Sequence, residues 1–197
     1  MENLDENNVK IKPWVGKNYM KGGLLILGES HYEEDIKYRN EKYTIESIEE
    51  VLKGKRVRFF TKIAKTVLDK PGDLSKEEVE KIWNHVIYYN FVQEFLSTSR
   101  KEPLPKSWEN GAEPFKSVIK KYAPRKVLLL GKRLTKHLLY IGLIEGSEEK
   151  YKVTCLDGIV AVSIYHPSCG GFSPTRWSGV LRENGFIENY FESLVSG

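Results

Sequence analysis

The chain has 197 residues, enough for one α/β domain with a real core and too few to require two. Its formal charge of +4 permits an acidic partner such as nucleic acid without demanding one, because most Lys and Arg side chains solvate helix faces. Two cysteines, Cys155 and Cys169, exclude a four-cysteine zinc or iron–sulfur site, and no apolar run approaches the roughly twenty residues of a membrane span.

Residues 1–20 are polar and read as irregular, with Trp14 the only large anchor. Leu24-Leu25-Ile26-Leu27, ended by Gly28, reads as a central strand. Ile45, Ile48, Val51 and Leu52 recur at helical spacing, as do Phe59, Ile63 and Val67 after Gly54. Pro71-Gly72-Asp73 breaks the pattern, and Ser75 with Glu78 forms a capping box that opens a helix through Val79, Ile82 and Trp83. A second strand runs from Val86 to Tyr89 and ends at Asn90. The segment Ser97–Pro114, rich in Pro and Ser, reads as a loop. Phe115, Val118, Ile119 and Tyr122 give one helical face, stopped by Pro124. Val127–Leu130 is a third strand closed by Gly131, followed by a helix carrying Leu134, Leu138 and Leu139. Ile159–Ile164 is the fourth strand, and Phe186, Ile187, Tyr190, Phe191 and Leu194 suggest a closing helix. This alternation predicts a single domain over 1–197, a three-layer αβα sandwich around a four-stranded parallel sheet.

Short polar clusters follow these strands: Gly28-Glu29-Ser30-His31-Tyr32, Asn90, and Tyr165-His166-Pro167-Ser168. The carboxyl ends of parallel strands share one crevice, so a carboxylate, an amide and an imidazole from distant parts of the chain are expected to meet there. In this order, and with Pro124-Arg125-Lys126-Val127-Leu128-Leu129-Leu130-Gly131 between them, the clusters resemble the uracil-DNA glycosylase superfamily from Leu24 to about Trp177. The resemblance implies a first loop that orients a water, an Asn that reads a flipped base, and a His-Pro-Ser loop whose His faces that base. The chain departs from the better known members. Ser30 stands where the most efficient uracil enzymes have Asp, and His31 where nearly all have Pro. Glu29 and the acidic run Glu33-Glu34-Asp35 are similar to the Gly-Glu-Ala-Pro-Gly branch, whose iron–sulfur cluster this chain cannot build. After Ser168 the usual Pro-Leu-Ser is replaced by Cys169-Gly170-Gly171-Phe172-Ser173-Pro174.

The chemistry of such a site follows from the reaction. A base inside a duplex stack is out of reach, so the nucleotide must be flipped. Breaking the N-glycosidic bond leaves an oxocarbenium-like sugar and an anionic base. Glu29 is the candidate to stabilise the sugar and orient a water, and His166 the candidate donor to the leaving base. Gly28, Ser30, His31, Tyr32, Asn90 and Ser168 complete the expected base pocket, with Tyr32 or Tyr89 to stack on the ring or limit room beside it. Taken singly, Glu29 reads first as a solvated carboxylate and Asn90 as a turn residue, and His166 reads equally as a turn cap; the joint placement favours a shared site. His85 and His137 read as structural. Gly170 and Gly171 let backbone approach phosphates and Phe172 is a candidate wedge for the gap left by a flipped nucleotide, or the same segment is a surface loop whose aromatics pack on the domain; Lys132, Arg133, Lys136 and Arg176 are candidate phosphate contacts. Lys53, Lys55, Arg56 and Arg58 form a further basic cluster.

The expectation is a cytoplasmic DNA N-glycosylase, a monomer with no cofactor, metal or membrane association. It would excise uracil or a modified pyrimidine, for repair or, by analogy, for defence against viral DNA with hypermodified cytosines. The alternative is a non-catalytic nucleic-acid or nucleotide-binding protein on the same fold.

Overall fold

A computed structural model describes residues 8–98, 101–147 and 151–187. The chain forms an α/β fold around a mixed seven-stranded sheet, with six α-helices among the described residues. In chain order these are β1 (Trp14–Val15), β2 (Leu24–Gly28), β3 (His31–Tyr32), α1 (Tyr43–Leu52), α2 (Arg58–Val67), α3 (Lys76–Trp83), β4 (Val86–Asn90) and β5 (Phe95–Leu96). There follow α4 (Pro105–Tyr122), β6 (Lys126–Leu130), α5 (Lys132–Tyr140), β7 (Ile144–Glu145), β8 (Lys152–Cys155), β9 (Val160–Ile164) and α6 (Pro174–Glu183).

The large sheet has the order β1-β4-β2-β6-β9-β8-β7. Its centre, β4-β2-β6-β9, is parallel and consists of the four runs read from the sequence. The expected four-stranded parallel sheet is therefore only the core of a mixed one, because β1, β8 and β7 extend it antiparallel at both edges. Each central strand is buried on both faces, so its side chains alternate between two cores. Leu24 and Ile26 point into the layer with α1, α2, α3 and α6, whereas Leu25 and Leu27 point toward α4 and α5. A separate two-stranded parallel sheet pairs β3 with β5.

Two segments expected to be irregular are so only in part. Residues 14 and 15 within the N-terminal twenty pair with β4, and the Trp14 indole N–H donates to the Trp83 carbonyl at 2.6 Å. Helix α4 begins at Pro105, well inside the segment read as a loop, because proline is tolerated in a first helical turn; Pro114 lies within the same helix. The Gly-rich segment after His166 ends in α6, with Ser173 accepting from the Arg176 N–H as cap and Pro174 in the first turn. The capping box of Ser75 and Glu78 is present at α3. Of the expected closing helix, Phe186 is buried against the core outside any helix, and Tyr190, Phe191 and Leu194 lie outside the described residues. Among the described residues no helix is long and apolar enough to cross a membrane.

Candidate functional site

Parallel pairing puts the loops after β2, β4, β6 and β9 at one edge of the sheet. Gly28 pairs with Asn90 at the last register position of β2 and β4, and Leu130 pairs with Ile164 where β6 and β9 end. Two backbone bonds then lace the first two loops together, Phe91 N–H to Gly28 O at 3.0 Å and Val92 N–H to Glu29 O at 2.8 Å.

Asn90 is buried at the floor of this edge. The Tyr88 hydroxyl donates to its Oδ1 at 3.1 Å, and its carbonyl accepts from the Gln93 side chain at 2.8 Å. Gly28 makes the arrangement possible, since a Cβ there would sit 2.0 Å from Asn90 Oδ1 and 2.8 Å from the Tyr88 hydroxyl.

Glu29 is held by Arg133 from the first turn of α5. The guanidinium Nε donates to Oε2 at 2.8 Å and a terminal nitrogen donates to Oε1, a two-pronged contact that fixes the plane of the carboxylate. The Glu29 side chain is 12% exposed against 41% for Arg133, so the acid lies beneath its partner. A buried hydroxyl pair, Thr135 Oγ1 and Ser163 Oγ at 2.6 Å, ties α5 to β9 and thereby places Arg133 beside the His166 loop.

His166 stands where β9 gives way to its loop, and the turn at Gly131 passes against it: a Cβ at Gly131 would lie 3.5 Å from His166 Cβ. The Ser168 backbone N–H donates to His166 Nδ1 at 3.3 Å. An Nδ1 that accepts must be unprotonated, so the neutral ring carries its hydrogen on Nε2. Burial pushes the His166 pKa down, with the Glu29 carboxylate opposing and Arg133 and Lys62 adding to the shift. The ring is therefore a neutral N–H donor at ordinary pH, within the electrostatic reach of Glu29. Helix α2 supports it: Phe59 packs on the imidazole at 5.3 Å between centroids, and Lys62 Nζ donates to the Pro167 carbonyl at 2.6 Å.

The other expected site residues are placed as follows. His31 is buried between Tyr43 and Phe95, with Nε2 2.8 Å from Thr44 Oγ1, and burial drives its pKa down to about 3. Tyr32 is exposed and Ser30 half-buried. Tyr89 is not at the crevice: it points into the core layer beneath α4, on the face opposite Tyr88. Phe172 is buried against Trp177 rather than projecting as a wedge. It does line an open pocket of about 460 Å³ together with Arg58, Phe59, Lys62, Ser168, Gly170 and Gly171. Arg176 is exposed beside Trp177, Lys132 sits over the Tyr151 ring, and Arg133 is engaged by Glu29 instead of standing free for phosphate.

Four residues of this edge escaped the sequence reading in their present roles: Arg133 as partner of Glu29, Tyr88 as partner of Asn90, and Phe59 and Lys62 as supports of the His166 loop. Only Tyr88 had a local signal, since a residue two before Asn90 on a strand shares its face. No family model matches the chain, and no curated protein matches it in sequence.

Proposed function

We propose that this protein is a DNA N-glycosylase with a uracil-DNA glycosylase-like fold, which flips a pyrimidine nucleotide and hydrolyses its glycosidic bond. The observation that carries the reading is the convergence of Glu29, Asn90 and a neutral, Nε2-protonated His166 on one edge of a parallel sheet. In this reaction the C1′–N bond breaks with its electron pair going to the base. His166 Nε2–H donates to the base oxygen on which that charge gathers, a contact stronger in the transition state than in the ground state. The Glu29 carboxylate, oriented by Arg133, faces the developing cation at C1′ and aligns a water for attack. The new C1′–O bond forms, and the proton lost from the water balances the charge on the departing base. Asn90 reads the polar edge of the ring. The basic pocket of Arg58, Lys62 and the Gly170-Gly171 backbone adjoins His166 through Phe59, and supports a path for the DNA strand.

The reading makes DNA the partner, uracil or a modified pyrimidine the leaving base, and needs no cofactor. The alternative, a binding protein without hydrolysis, is favoured by one observation: Arg133 engages both carboxylate oxygens of Glu29. Release of free base decides between them. The protein would be incubated with single- and double-stranded oligonucleotides carrying uracil, thymine, 5-hydroxymethylcytosine or its glucosylated form, and products read by mass spectrometry. The expected result is one or more free bases with matching alkali-labile strands. DNA binding without release of any base would overturn the hydrolytic reading in favour of the alternative.

A further inference from the structure

We propose that Tyr88 is a specificity-determining positioning residue, whose hydroxyl locks the Asn90 amide so that its Nδ2 donor faces the flipped base. The assignment rests on the glycosylase reading and deepens it: the base must offer an acceptor at that place, the O4 of a uracil-type ring, where a cytosine ring presents its N4 donor.

Tyr88 is almost wholly buried, and its ring is held edge-on by Phe60 at 5.5 Å, Trp83 at 6.2 Å and Phe59 at 6.3 Å. Among the described residues its hydroxyl has one hydrogen-bond partner, Asn90 Oδ1. A phenol has one hydrogen to give. If the amide turned over, Nδ2 would face the phenol oxygen, and the phenol hydrogen would be stranded among three aromatic rings. Burial also raises the Tyr88 pKa, so the group remains a donor at any working pH. Gly28 lets Oδ1 sit in this position, since a Cβ there would fall 2.0 Å from it. Tyr88 thus fixes which end of the amide is offered, with no contact to the base itself. At the same ring position uracil and cytosine differ in sign: O4 accepts where N4 donates, and N3–H donates where N3 accepts. A locked donor admits one class and opposes the other, which is discrimination by an unpaired polar group.

The test compares single-turnover base release by the wild type, Tyr88→Phe and Asn90→Asp on oligonucleotides carrying uracil, cytosine and 5-hydroxymethylcytosine. Tyr88→Phe keeps the three ring contacts and frees the amide to turn. The preference between keto and amino rings should shrink by roughly tenfold or more, the size of one good base contact. Asn90→Asp offers acceptors only, and should lose more rate on the preferred class than on the other. Equal falls on both classes in Tyr88→Phe, with an unchanged ratio, would overturn the lock and leave the glycosylase reading standing. Failure of the wild type to release any base overturns both, and is distinguishable because it shows in the wild-type arm alone.

Discussion

His31 carries a titratable ring into a space with no room for its charge. Tyr43 and Phe95 flank it, Thr44 takes its Nε2, and burial lowers its pKa from 6.5 to about 3. The neutral ring therefore stabilises the fold fully above pH 6.5. Between the two values the unfolded chain binds the extra proton, so stability is lost as pH falls. The slope from this one group is about 1.4 kcal/mol per pH unit, or about 2–3 kcal/mol between pH 6.5 and 4.5. Urea unfolding at those two pH values should show that loss in the wild type and a markedly smaller one in His31→Gln, which keeps a partner for Thr44. An equal pH dependence in both would place the titrating group elsewhere. His31 is thus taken up by packing against Tyr43, Thr44 and Phe95. Nothing in the sequence separates a buried imidazole from a catalytic one at this position, because two of its three neighbours come from α1 and the third from β5.

At the scale of elements, α4 shows how a helix positions the site without reaching it. Gly111 sits in mid-helix where a Cβ would meet the Phe91 ring at 2.6 Å and the Phe91 carbonyl at 2.7 Å. Phe91 directly follows Asn90, so the close approach seats the strand end that carries the amide. Gly111→Ala gains about 1 kcal/mol of helix propensity. Overpacking against backbone opposes it, and the net effect expected in urea unfolding is a destabilisation of about 1–3 kcal/mol; a more stable variant would show that the helix has room to move. The four central strands were legible because fully buried strands read as unbroken apolar runs ended by polar residues. The added edge strands were not, since β1 and β7 have two residues each and owe their state to their neighbours. Strand β8 did carry a signal, Val153 and Cys155 alternating with exposed residues, as did α6 in Ser173, Pro174, Trp177, Val180 and Leu181.

For the molecule as a whole, the parallel core does the organising. It sends four loops to one edge, which carries three polar residues predicted from strand ends: Glu29, Asn90 and His166. What local sequence could not reveal is the pairing across 104 positions of Glu29 with Arg133, a contact made by α5 lying over the sheet. The central claim is that Glu29 and His166 act on opposite charges of one bond-breaking step. Single-turnover base release from the preferred oligonucleotide, measured beside DNA affinity, tests it most directly. His166→Ala should slow release by roughly 10²-fold or more and Glu29→Gln should do so steeply, with affinity changed far less and Ser30→Ala milder than either. An unchanged rate in His166→Ala, or an essential Ser30 with a dispensable Glu29, would contradict the account.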